Sequence, residues 1–169
     1  MRRALAKSLG AVASPEFVMK IKTDLVGATP SDQFNLAIQN GPYDVNWGDG
    51  NIETLSGFQT HTYDVPGEYI VKVIGASRLY YPWNNNDSQK LQDILNWGQT
   101  TWTSIYIHQA YNLTKISASD IPSLSSCAFN VQAVFEELSI VGWDTTQLSV
   151  FSVANNHNLT NVYGLDDMY

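Results

Sequence analysis

The sequence predicts a mainly β protein in two parts, a small β-sandwich followed by a short solenoid of sequence repeats. Three observations carry that prediction. Across residues 17–76 apolar and polar residues alternate with period two, as strands with one buried face require. A Gly-Asp-Gly turn at 48–50 separates two such runs. From Leu91 onward apolar positions recur every 22 to 24 residues, and a fixed period of that length marks a repeat architecture.

Phe17, Met19 and Ile21 alternate with Val18, Lys20 and Lys22 in a first strand. Residues 24–32, with Gly27 and Pro30, form a loop. Phe34, Leu36 and Ile38 make the second strand, and Asn40-Gly41-Pro42 turns it into a third that carries Tyr43, Val45 and Trp47 on one face. The glycines of Gly48-Asp49-Gly50 accept positive φ, and the Asp49 carboxylate can bond N–H groups of its own turn. A short Ile52-Glu53-Thr54 piece follows. After Pro66-Gly67 the alternation resumes with Tyr69, Val71 and Val73.

Trp47-Gly48-Asp49-Gly50, with His61-Thr62-Tyr63-Asp64-Val65-Pro66-Gly67-Glu68-Tyr69-Ile70-Val71, resembles the PKD family of immunoglobulin-like β-sandwiches. Its hallmarks are a W-G-D-G or F-G-D-G turn and a later H-x-Y-x-x-P-G-x-Y-x-V. The resemblance covers residues 17–76, a short span for that family, which implies missing edge strands. It implies a fold and no reaction. Trp47, Gly48, Asp49, Gly50, His61, Tyr63, Pro66 and Gly67 are its fold-defining residues.

Residues 77–90 read as a junction, aromatic at Tyr80, Tyr81 and Trp83 and then polar at Asn84-Asn85-Asn86-Asp87, the polar run being a solvated turn. Beyond it, Leu91, Leu113, Phe135 and Leu159 are spaced 22, 22 and 24, each followed three residues later by Ile94, Ile116, Leu138 or Val162. Gly98, Asp120, Asp144 and Asp166 are spaced 22, 24 and 22, which places two extra residues between Leu138 and Asp144. Each unit reads L-x-x-L-x-L-x-x-N-x-x-L. Trp102, Ile105, Ile107 and Leu113 fit it, as do Leu124, Cys127, Phe129 and Phe135, and Leu148, Phe151, Val153 and Leu159. Phe129 and Val153 are therefore expected to be buried in adjacent coils with parallel strands. Asn156 can bond backbone of a neighbouring coil, but Ala110 and Gln132 hold its place elsewhere, so an asparagine ladder is incomplete. Residues 91–169 thus make three to four repeats.

This part resembles leucine-rich repeats, and more closely the BspA-type repeats of bacterial and phage surface proteins, whose W-D-T segment is matched by Gly142-Trp143-Asp144-Thr145-Thr146-Gln147-Leu148. A PKD-like module before such repeats is an arrangement known in that group. The resemblance implies display and assembly and no enzymatic reaction.

Composition narrows the function. A net charge of −7, with nine Lys and Arg, argues against nucleic acid, whose phosphates need basic partners, and against an anionic membrane surface. No apolar run is long enough to span a bilayer. The single cysteine excludes an intrachain disulfide and a Cys-x-x-Cys metal site. Met1-Arg2-Arg3 and Ala4 to Ala13 imitate a signal peptide, but Lys7, Ser8 and Gly10 interrupt the apolar region, so residues 1–16 read as an N-terminal arm.

No catalytic or metal site is expected. His61 belongs to the sandwich motif. His108 and His157 fall at different repeat positions, with no Ser, Cys or carboxylate beside them in register. Cys127 reads as a small core residue. Stacked Asp120, Asp144 and Asp166 could gather calcium, but Gly98 breaks the ladder and turn capping needs only one carboxylate per coil. Asn112-Leu113-Thr114 and Asn158-Leu159-Thr160 are formal glycosylation sequons that the repeat itself produces.

The expected function is a non-enzymatic structural or decoration protein on a phage virion, working without cofactors through contacts with other virion or surface proteins or with its own copies. The alternative is a bacterial cell-surface adhesin or glycan-binding module. The sequence stops at Tyr169 before another leucine position, so the last coil is expected to lie open unless a partner covers it.

Overall fold

The computed structural model describes residues 14–83 and 86–165. Most of the N-terminal arm, Asn84, Asn85 and Asp166 lie outside them. Among the described residues the protein is all β, with two short 3-10 turns and no α-helix. No helix is long and apolar enough to cross a membrane.

The first part contains β1 (Phe17–Lys22), β2 (Gln33–Leu36), β3 (Tyr43–Asn46), β4 (Ile52–Leu55), β5 (Gln59–Thr62) and β6 (Glu68–Ile74). Phe17, Met19 and Ile21 point inward along β1, as do Tyr43 and Val45 along β3 and Val71 and Val73 along β6. Strands β1, β6, β3 and β4 pair antiparallel in one layer, and β2 pairs with β5 in the facing layer. The alternation read from the sequence is the alternation of these two inner faces.

The second part contains β7 (Arg78–Tyr81), β8 (Leu91–Asn96), β9 (Thr101–Ala110), β10 (Lys115–Ile116), β11 (Ser123–Ala133), β12 (Glu137–Ser139), β13 (Leu148–Val153) and β14 (Asn161–Tyr163). Strands β7, β9, β11 and β13 stack in parallel as one face of a solenoid of three turns. On the other face β10 runs parallel to β8, and β14 to β12.

The two parts are fused through both layers. Strand β8 pairs antiparallel with β1, so the large sheet runs in the order β10-β8-β1-β6-β3-β4. In the other layer Ile38 bridges Leu79, with the Tyr80 N–H donating to the Ala37 carbonyl at 2.8 Å. One apolar core therefore runs from Phe34 and Trp47 through Leu79 and Trp97 to Phe129 and Phe135. The stretch expected to be a junction, 77–90, is a structural part of this continuity. It supplies β7 and a 3-10 turn at Asn86–Lys90.

Candidate functional site

The sandwich motif closes on itself. Trp47 is buried at the end of β3, and Gly48 and Gly50 follow at φ of 86° and 102°. The Asp49 carboxylate accepts from Asn51 N–H at 2.9 Å and meets His61 Nε2 at 2.7 Å. The His61 ring lies flat on the Trp47 indole, with centroids 4.6 Å apart, and Tyr63 meets it edge-on. Tyr63 donates to the Trp47 carbonyl and stacks on Tyr69. Gly67 N–H donates to Thr23 Oγ1, tying the turn after Pro66 to the end of β1. Burial pushes the Asp49 pKa up, but hydrogen bonds from His61 and Asn51 outweigh it and hold the carboxyl below the ordinary aspartate value. Rings lie against the imidazole and its Nε2 meets Asp49, so the side chain fastens the turn.

The seam between the two parts holds a cluster that sequence reasoning missed. Asp87, expected in a solvated turn, is wholly buried, as is Lys90. The Asp87 carboxylate accepts from Thr29 N–H, Thr29 Oγ1 and Asn35 N–H at 3.0, 2.6 and 2.6 Å. Lys90 Nζ lies 3.9 Å from Asp87 and donates to the carbonyls of Thr29, Pro30 and Gln33 at 2.7 to 3.0 Å. The loop 24–32 wraps this pair, and a Cβ on Gly27 would lie 2.6 Å from both partners. Burial lowers the Lys90 pKa while Asp87 opposes that shift. Polar residues in a short polar run gave no sign that a loop fifty residues earlier would fold over them.

In the solenoid the expected core positions Leu91, Ile105, Ile107, Leu113, Cys127, Phe129 and Phe135 are buried, whereas Phe151, Val153 and Leu159 of the last coil are half-buried. The alignment of β11 needs correction. Trp102 pairs with Leu124, 22 residues on, but Ser104 pairs with Ala128, 24 residues on. A bulge with Ser126 at φ 45° takes up the difference. Ile105 therefore stacks on Phe129 and Phe129 on Phe151, while Val153 stacks under Val131. Cys127 is not the counterpart of Ile105; it sits against Leu148, buried, and burial pushes its thiol up to about 11 despite a hydrogen bond at Ile105.

Asp120 and Asp144 cap turns. Asp120 accepts from Trp97 and Gly98 N–H of the preceding coil at 2.8 to 3.0 Å, and Asp144 from Thr146 N–H of its own turn at 3.2 Å. Gly98 interrupts the series because a Cβ there would lie 2.7 Å from the Glu16 backbone. Asn156 Oδ1 accepts from Phe135 N–H at 2.9 Å, and the Asn112 amide donates to the Gln89 carbonyl at 2.7 Å. His108 is 4% exposed under Tyr106 and Trp83, with both ring nitrogens unpartnered among the described residues.

Among the described residues two surfaces are open. At the solenoid end β13 and β14 are the outermost strands of their sheets, with Val150, Tyr163 and Leu165 exposed. On the β10–β12–β14 side a groove of about 970 Å³ runs across the coils.

No family model, curated protein or solved structure matches the chain. The coarse architecture, a β-sheet domain continued by a parallel β-solenoid, stands on its own geometry.

Proposed function

We propose that this chain is a non-enzymatic structural component of a surface assembly, a virion decoration protein, working by protein–protein contact at the open end of its solenoid. One observation carries the reading. Phe129, Val131 and Phe135 are sealed by the coil beneath them, while Phe151, Val153 and Leu159 stay half-buried and no described strand pairs with the outer side of β13 or β14. Each coil of a solenoid buries its face against its neighbours, and an open edge offers both unpaired backbone groups and apolar side chains. The PKD-like turn motif and the BspA-type repeat pattern support display at a surface. The sealed His108 and the buried Cys127 thiol support a role without catalysis.

The test is incorporation. Val150→Lys alters the exposed face of the edge strand without touching the core. It should abolish co-purification with particles and self-association of the full chain. A wild-type chain that stays monomeric at high concentration and is absent from particles would remove this reading in favour of a free surface-binding module.

A further inference from the structure

The groove on the β10–β12–β14 side shares Tyr163 with the open end but is not lined by Val150, and its chemistry is specific. Its walls come from three successive coils, with Lys115 from the first, Glu136, Glu137 and Ser139 from the second, and His157 and Tyr163 from the third. Successive coils are displaced by about one strand spacing, ~4.8 Å, so a chain lying along the axis meets a fresh row of polar groups at each step. The side chains of Glu136, Ser139 and His157 have no hydrogen-bond partner among the described residues. Tyr163 is held by its hydroxyl, which donates to Glu137 Oε1 at 3.2 Å, and the residue is 46% exposed. Lys115 turns to Asp93 Oδ2 at 3.4 Å, which leaves the two glutamates to set the sign of the field.

We propose that this groove binds a neutral saccharide chain. Sugar hydroxyls both donate and accept, which suits carboxylates that only accept beside a hydroxyl and an imidazole that do either. A pyranose also presents an apolar face, and the restrained Tyr163 ring offers a flat amphipathic partner for it. The glutamates and the net charge of −7 disfavour sulfated, sialylated or phosphorylated ligands.

The test uses the full chain, with cellohexaose, maltohexaose and chitohexaose as neutral probes, a heparin-derived hexasaccharide as the anionic probe and hexalysine as the cationic peptide. Calorimetry should detect at least one neutral oligosaccharide, and backbone amide shifts should map it to residues 114–117, 136–139 and 157–163. Tyr163→Ala and Glu137→Gln should each weaken that binding about tenfold, the scale of one lost charge-assisted hydrogen bond or stacking contact. Val150→Lys at the solenoid end should leave it unchanged, which separates this site from the assembly surface. The proposal is overturned if no neutral probe binds at about 10 mM, if only hexalysine or the heparin fragment binds, or if the shifts in the unmodified protein map elsewhere. It is also overturned if both variants bind as the unmodified chain does.

Discussion

Lys90 and Asp87 face each other at 3.9 Å, both without solvent contact, at the point where the sandwich layers run on into the solenoid. The pair is saturated by the loop that covers it. Nζ reaches three carbonyls and Thr29 Oγ1, and the carboxylate takes two N–H groups and that same hydroxyl. Removing one member strands the other charge in the core. Lys90→Met should therefore destabilise the protein by about 3–5 kcal/mol, and Asp87→Asn by a similar order. The double variant should cost less than the sum of the singles, because the second change removes a charge already stranded. Chemical denaturation of the four chains measures this, and strict additivity would mean that the two groups do not sense each other.

The turn at 48–50 separates space from backbone conformation. At Gly48 a Cβ would lie 2.6 Å from the Ile70 carbonyl oxygen, on top of a φ of 86°. At Gly50 the φ is 102°, but nothing stands within 4 Å. Gly48→Val should cost at least about 1–3 kcal/mol, the scale of strain at a special backbone position. Gly50→Ala pays only for the dihedral and should cost less than Gly48→Ala. Thermal unfolding of the full chain ranks them, and the reverse order would mean that the β3 end and β6 do not approach as described.

Acid should act at two named groups. Asp49 has its pKa held below the ordinary aspartate value, so the folded state releases this proton more readily than the unfolded one. Its stabilisation is complete above about pH 3.9 and is lost as the pH falls through its folded value. His108 is also depressed, by burial. Its stabilisation is complete above about pH 6.5 and begins to fall as the unfolded chain takes up a proton that the buried ring resists. Denaturation from pH 8 to 3 should show a first loss below about 6.5 that His108→Gln removes, and a second in the aspartate range that Asp49→Asn removes. An unfolding free energy that is flat from pH 7 to 5 in the unmodified protein would refute the sealed, neutral His108.

Much of this fold was legible because its signals are local. Period-two alternation located β1, β2, β3 and β6, and the Gly-Asp-Gly turn was identifiable because few residues tolerate two positive φ values so close together. The register of β11 was not legible. Its two-residue excess after Leu124 is recovered before Phe135, so Leu113 and Phe135 still stand 22 apart in the chain and hide two compensating slips. Nor was the seam legible, since the burial of Asp87 depends on Thr29 and Asn35, more than fifty residues away. The groove drew on residues that look like ordinary solvent-facing positions of a repeat. Only the stacking of three coils brings Lys115, Glu137 and Tyr163 to one surface.

Phe129 and Phe151 stack nearly parallel, with centroids 5.5 Å apart, yet their surroundings differ. Phe129 has Ile105 on one side, Phe151 on the other and the edge of Trp143 at 5.2 Å, and it is wholly buried. Phe151 has Phe129 above it and no described strand below. Phe129→Ala should cost about 3–5 kcal/mol in the isolated chain, because it empties a packed site that cannot collapse. Phe151→Ala should cost about half as much, since part of the ring already faces water and burial free energy scales with the area removed from it. The comparison bears directly on the proposed assembly. If a partner covers the last coil, Phe151→Ala should weaken association by more than it weakens the fold, and its stability cost should rise with protein concentration, because binding a partner stabilises only the folded chain. Denaturation at two concentrations about a hundredfold apart measures both. Equal costs for the two substitutions in the dilute chain would show that Phe151 is already sealed in the monomer, and the end-on contact would lose its apolar basis.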